Sequence, residues 1–199
     1  MQKGRKSFLI SGLCFFLSLF QLSAQAPLPK NLQLSAAAEA QIGVTTSYDP
    51  AYVRIPYPNG DIPPEKGVCT DVIVRAFRKQ GRDLQKEVHE DMKRNFSAYP
   101  NNWGLSAPDS NIDHRRVPNL RVFFTRKGWS LPVRENPGAF LPGDLVTWQL
   151  ASGVPHIGIV ATEKVSGQNR FLIIHNIGLG TQKEDFLFNA KLTGHYRPK

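Results

Sequence analysis

The chain has 199 residues, with 25 lysines plus arginines against 16 aspartates plus glutamates, a formal net charge of +9, and 41% hydrophobic and 21% charged residues. These proportions describe one folded domain with appendages and exclude wholesale disorder. Two cysteines exclude a multi-bridge secreted scaffold, no Cys/His cluster has zinc-finger spacing, and no Lys/Arg block with interleaved aromatics marks a nucleic-acid partner.

Lys3, Arg5 and Lys6 precede an apolar run from Phe8 to Leu22, and the small residues Ser23-Ala24-Gln25-Ala26 follow it. The run is shorter than the roughly 20 residues that span a bilayer, so residues 1–24 read as a signal peptide, with cleavage after Ala24 favoured over Ala26. An uncleaved anchor is the alternative. Cys14 follows Ser11-Gly12-Leu13, where Leu13 is too bulky for a lipoprotein signal, and is assigned as apolar filler. Export to the periplasm or exterior leaves no integral membrane segment, takes the charge from +9 to +6 and leaves Cys69 as the one cysteine. An unpaired thiol in an oxidising compartment calls for a function.

Residues 25–66 read as an N-terminal helix, Asn31 to Ile42, and a wrapping loop rich in Pro, Tyr and Gly, with Tyr52 to Ile55 as a short extended piece. From Cys69 to Arg78, Val72 with Ala76 and Ile73 with Phe77 recur at helical spacing, and Gly81 stops the helix. Asp83 caps a second amphipathic helix to Asn95, with Leu84, Val88 and Met92 on one face. Pro100 to Pro118 is mostly loop, and Val117 to Lys127 a short helix. Asp144–Leu150, Ile157–Ala161 and Phe171–Ile174 read as strands between turn signals. Helices followed by an antiparallel β-sheet make an α+β plan.

The chemistry gathers where these elements begin. Cys69 opens a helix, where unpaired N–H groups and the helix dipole favour a thiolate, so a lowered thiol pKa is expected. Papain-type catalysis also needs an imidazole, and His156 supplies one at the mouth of an apolar strand. His175 ends the next strand, 19 positions on. A hairpin would bring the two rings side by side, letting His175 orient His156, with Asn176 the competitor for that role. Cys69, His156 and His175 as a three-ligand zinc site is the alternative; the thiolate–imidazole pair needs no metal, and no cofactor is expected.

Gly67-Val68-Cys69-Thr70-Asp71-Val72, Pro142-Gly143-Asp144-Leu145-Val146, His156-Ile157-Gly158-Ile159-Val160 and Ile173-Ile174-His175 follow in one order. In that order they resemble the NlpC/P60 cysteine peptidases of bacterial cell walls, which have a papain-like fold. The resemblance implies a catalytic domain over 67–199, Cys69 as nucleophile, His156 as general base and then acid, His175 as its orienting partner, and Asp144 as structural. It also implies a tyrosine near the oxyanion, for which Tyr57, 12 positions before Cys69, is the candidate. The implied partner is peptidoglycan or another amide substrate.

Two departures stand out. Val68-Cys69-Thr70-Asp71 replaces the family's usual Asp-Cys-Ser-Gly, and 87 positions separate Cys69 from His156, which marks an insert around 99–120. The motifs Cys-Thr-Asp-Val and Asn-Ile-Asp-His-Arg-Arg are similar to an exported bacterial subgroup described as a domain of unknown function. Within the insert, Arg115 and Arg116 are candidates to bind stem-peptide carboxylates and His114 to line the cleft; the competing reading makes Asp113 and the arginines a salt-bridged brace. His89 and His195 receive no role. The expected activity is amide hydrolysis by an exported enzyme, with acyl transfer as a variant and a non-catalytic envelope-binding or scaffolding module as the alternative.

Overall fold

The structure, a computed structural model, describes Met1 and residues 28–199; the expected signal peptide, its cleavage site and Cys14 lie outside the described residues. Helix α1 (Lys30–Glu39) buries Leu34 and Ala38. Two short strands, β1 (Ser47–Tyr48) and β2 (Lys66–Gly67), pair in parallel at the ends of the wrapping segment. Tyr52 to Ile55, expected to be extended, forms no strand; the pairing falls at the base of the loop instead.

Helix α2 (Cys69–Lys79) starts at the expected residue and is buried almost throughout its first two turns. Helix α3 (Leu84–Arg94) is capped as its sequence implies, the Asp83 carboxylate accepting from the Gln85 N–H at 3.0 Å. The 3₁₀ turn Asp113–Arg115 leads into α4 (Val117–Arg126), whose first turn carries Pro118, a residue that needs no hydrogen-bonded N–H there.

The main sheet has six antiparallel strands in the order β3-β8-β4-β5-β6-β7: β3 (Ser130–Leu131), β4 (Leu145–Gln149), β5 (Pro155–Lys164), β6 (Phe171–Asn176), β7 (Thr181–Glu184) and β8 (Lys191–Tyr196). This is the α+β arrangement the sequence implies. Strand alternation sends Leu145, Ile157, Ile159, Ala161 and Ile174 into the core beneath the helices, with Phe77, Phe123, Phe124 and Trp129. Val146, Trp148, Val160 and Ile173 form a second cluster with Phe140 and Leu187.

The Pro142-Gly143-Asp144 turn has a local cause. Gly143 has φ +85°, and a Cβ there would collide with the Asn31 carbonyl of α1, so only glycine lets the helix approach the turn. Asp144 then accepts from the Leu141 N–H at 2.9 Å, pairs with His195 Nε2 at 2.7 Å and takes a two-pronged bond from Arg197. Asp144 is thus a structural tie between the start of β4 and the C-terminus.

Candidate active site

Val68 is extended, and its N–H donates to Asp71 Oδ2 at 2.7 Å, which fixes the entry of the chain into α2. Asp71 is in turn gripped by Arg115, Nε to Oδ1 at 3.0 Å and Nη2 to Oδ2 at 2.9 Å. The same guanidinium donates to the carbonyls of Asp49 and Ala51, both at 3.1 Å, and Thr70 Oγ1 donates to the Arg115 carbonyl at 3.1 Å. Loop, insert and helix start are therefore locked into one piece, with Cys69 at its centre.

Cys69 lines a cleft of about 350 Å³ together with Tyr48, Val68, Trp103, Arg116, Pro118, Val154 and Pro155. The backbone N–H of Ile157, the residue that follows His156, is among the groups that favour the Cys69 thiolate. β5 begins two residues earlier than the sequence pattern implies, at Pro155, which puts His156 within the ladder opposite Trp148.

The two histidines meet as expected. His156 Nε2 and His175 Nδ1 are 2.7 Å apart, their rings inclined at 64°. His175 Nε2 lies 2.8 Å from Glu184 Oε2 on β7, and Phe186 packs on both rings. Nε2 of His156 is thus engaged, and Nδ1 is the ring nitrogen that takes no part in this contact. Among the described residues no hydrogen bond joins Cys69 Sγ to His156. With three of the four imidazole nitrogens committed to each other and to Glu184, the zinc arrangement is not assembled; among the described residues no group of three or more His, Cys, Asp or Glu is placed to hold a metal ion.

The electrostatics overturn the expectation of a lowered thiol pKa. Burial, reinforced by the Asp71 carboxylate, pushes the Cys69 thiol up to about 12, although the N–H groups of Ile157, Thr70 and Cys69 favour the thiolate. The helix terminus contributes in the expected direction and is outweighed by desolvation. Burial and the neighbouring His175 push His156 down to about 3, and burial also lowers His175 against the pull of Glu184. Thiol and imidazole are therefore both neutral at pH 7. Alkylation of Cys69 by iodoacetamide is expected to accelerate about tenfold per pH unit from 7 to 9, following the small thiolate fraction. A plateau reached below pH 8 would instead reveal a preformed thiolate–imidazolium pair.

Other expected site residues are placed differently. Tyr57 is 42% exposed, packs edge-on against His89 at 5.2 Å and does not line the cleft. Tyr48 lines it instead, and burial and the nearby Cys69 raise its hydroxyl to about 12. Sequence spacing missed Tyr48 because the β1–β2 pairing, not distance along the chain, brings it to Gly67. His114 is buried away from the cleft lining, with Nδ1 unpartnered among the described residues, and burial lowers it to about 4. Arg115 borders the cleft but spends its guanidinium on Asp71 and the Asp49 and Ala51 carbonyls, so it braces through Asp71 rather than through the expected Asp113, which lies beside Arg116 instead. Arg116 lines the cleft, its guanidinium 3.9 Å over the Trp103 ring and 3.6 Å from Asp113, which burial pushes up to about 6. His89 and His195, given no role by the sequence, are buried, and His195 serves the Asp144 tie.

The fold and site define an α+β domain with a buried thiol heading a helix that packs on an antiparallel sheet. The chain belongs to the family described as "Domain of unknown function (DUF1287)", which matches residues 35–198. It is 53% identical over 167 residues to the uncharacterized protein YijF of Escherichia coli strain K12, covering 84% of this chain and 81% of that one. Among solved structures it is similar to NlpC1 from Trichomonas vaginalis, with 12% identity, a TM-score of 0.45, and coverage of 87% of this chain but 46% of that one. It is also similar to an N-acetylmuramoyl-L-alanine amidase from Bacteroides uniformis, with 12% identity, a TM-score of 0.49, and coverage of 84% and 97%.

Proposed function

We propose that the protein is an exported cysteine hydrolase that cleaves amide bonds in peptidoglycan stem peptides through Cys69, His156 and His175. The observation that carries this reading is Cys69 at a helix start in a cleft whose wall includes Pro155, next to a histidine, His156, whose Nε2 is fixed by a second histidine.

In this reading the neutral pair reacts in concert. His156 Nδ1 takes the thiol proton as Sγ adds to the amide carbonyl, so charge appears only when the substrate is there to share it. The first-turn N–H groups of α2 and the Tyr48 hydroxyl are the donors available to the oxyanion. The protonated His156 then gives its proton to the departing amine. Water, activated by the neutral imidazole, clears the thioester; an amine in its place gives acyl transfer. Arg116, held over Trp103 on the cleft wall, offers a guanidinium to a stem-peptide carboxylate.

One observation favours a second reading. The thiol is 5% exposed and makes no hydrogen bond to His156, which suits a non-catalytic binding or scaffolding module. Incubating the chain lacking residues 1–24 with purified peptidoglycan and synthetic stem peptides, followed by mass spectrometry, separates the two. Hydrolysis gives a new amine and a new carboxylate in equal amounts. Retention on the wall material with every peptide intact would overturn the hydrolase and leave the binding module.

A further inference from the structure

We infer that Glu184 is a positioning residue that sets which nitrogens of the histidine pair carry hydrogen, so that His156 presents an unprotonated Nδ1. The argument runs along three hydrogen-bonded atoms. A carboxylate only accepts, so the 2.8 Å contact between Glu184 Oε2 and His175 Nε2 requires the hydrogen on His175 Nε2. Burial keeps His175 neutral at pH 7, and a neutral imidazole has one N–H, so His175 Nδ1 is an acceptor. The 2.7 Å contact to His156 Nε2 then requires the hydrogen on that nitrogen. Nδ1 of neutral His156 is left with its lone pair, the state a general base needs.

The placement is built into the sheet. His175 pairs with Gln182 across the β6–β7 ladder, and Glu184 sits two residues further along the same face, within diagonal reach. Phe186, at 4.6 Å from the His175 ring, covers the contact. Glu184 has 43% of its side chain exposed, whereas the two rings are buried, so the carboxylate joins a dry pair of imidazoles to solvent at one end. A buried pair without this end-group has two equivalent hydrogen-bond directions; the carboxylate leaves one.

The catalytic consequence rests on the proposed hydrolase, but the protonation pattern does not, and it is measured without substrate. Two-bond ¹H–¹⁵N correlation spectra of the imidazoles at pH 7, on wild type, Glu184→Gln and Glu184→Ala, report the hydrogen positions directly. Expected are Nε2–H forms of both rings in the wild type and in Glu184→Gln, whose amide oxygen still accepts. Glu184→Ala should show mixed forms. Nδ1–H on either ring of the wild type would overturn the inference even if the alanine variant failed to fold, and so would spectra unchanged in a folded alanine variant.

If the hydrolase reading holds, Glu184→Ala lowers kcat about 10- to 100-fold at constant KM and Glu184→Gln recovers most of it. Nε2–H forms in a wild-type protein that cleaves nothing, with mixed forms in Glu184→Ala, would leave this inference standing and remove the hydrolase.

Discussion

Exchange of Cys69 for alanine is expected to abolish turnover of a susceptible stem peptide, a loss on the order of 10⁶-fold, the scale seen when the nucleophile of a concerted catalytic set is removed. The substitution takes one buried sulfur from a well-packed helix start, so the melting temperature should move little. His156→Ala should cost nearly as much, because an uncharged thiol raised to about 12 has no other route to a thiolate at pH 7. The double variant should be no worse than either single one, since the two groups act in one step. Steady-state rates across the three variants check this. Multiplicative losses, or a His156→Ala protein as fast as wild type, would show that the two residues do not share a step.

Arg115→Ala is expected to destabilise the fold by about 3–5 kcal/mol, the range for breaking one side of a buried ion pair. Both partners are 4% exposed, and removal of the guanidinium strands the Asp71 carboxylate in the core with the Val68 N–H as its remaining partner. It also releases the carbonyls of Asp49 and Ala51, which tie the wrapping loop down. At about 2–4 °C per kcal/mol for a domain of this size, the melting temperature should fall by roughly 6–20 °C. Adding Asp71→Asn should recover part of the loss, because the buried charge goes with its partner. A melting temperature within a degree or two of wild type, with turnover lost, would mean that Arg115 serves substrate after all; calorimetry on both variants decides.

Helices α2 and α3 were legible in the sequence because each carries its own periodicity and a boundary signal, Gly81 as stop for the first and Asp83 as cap for the second, and α4 was placed as a short helix after the loop. The strands carrying His156 and His175 were legible as apolar runs, and the hairpin that joins the two rings followed from their spacing. β7 and β8 were not, since Thr-Gln-Lys-Glu and Lys-Leu-Thr-Gly-His-Tyr are polar stretches whose strand character comes from their partners in the sheet. Glu184 was hidden with them. Tyr48 and Tyr57 show the same limit at the site: which tyrosine reaches Cys69 depends on where a long loop folds back. The thiol's basicity was misjudged for a different reason, because a helix terminus is visible in a sequence and the depth of burial above it is not.

The position of β8 governs when the sheet can close. The last strand of the chain lies inside the sheet, between β3 and β4, and the Asp144 tie needs His195 and Arg197 from the final five residues. Without those residues, β4 has an open edge and a buried aspartate that lacks its side-chain hydrogen-bond partners. The contacts of β8 with β3, β4 and α4 all span large sequence separations, the kind of contact associated with slow folding. Removal of β8 is therefore expected to expose the β4 edge and detach β3, leaving an aggregation-prone sheet edge rather than a shortened domain.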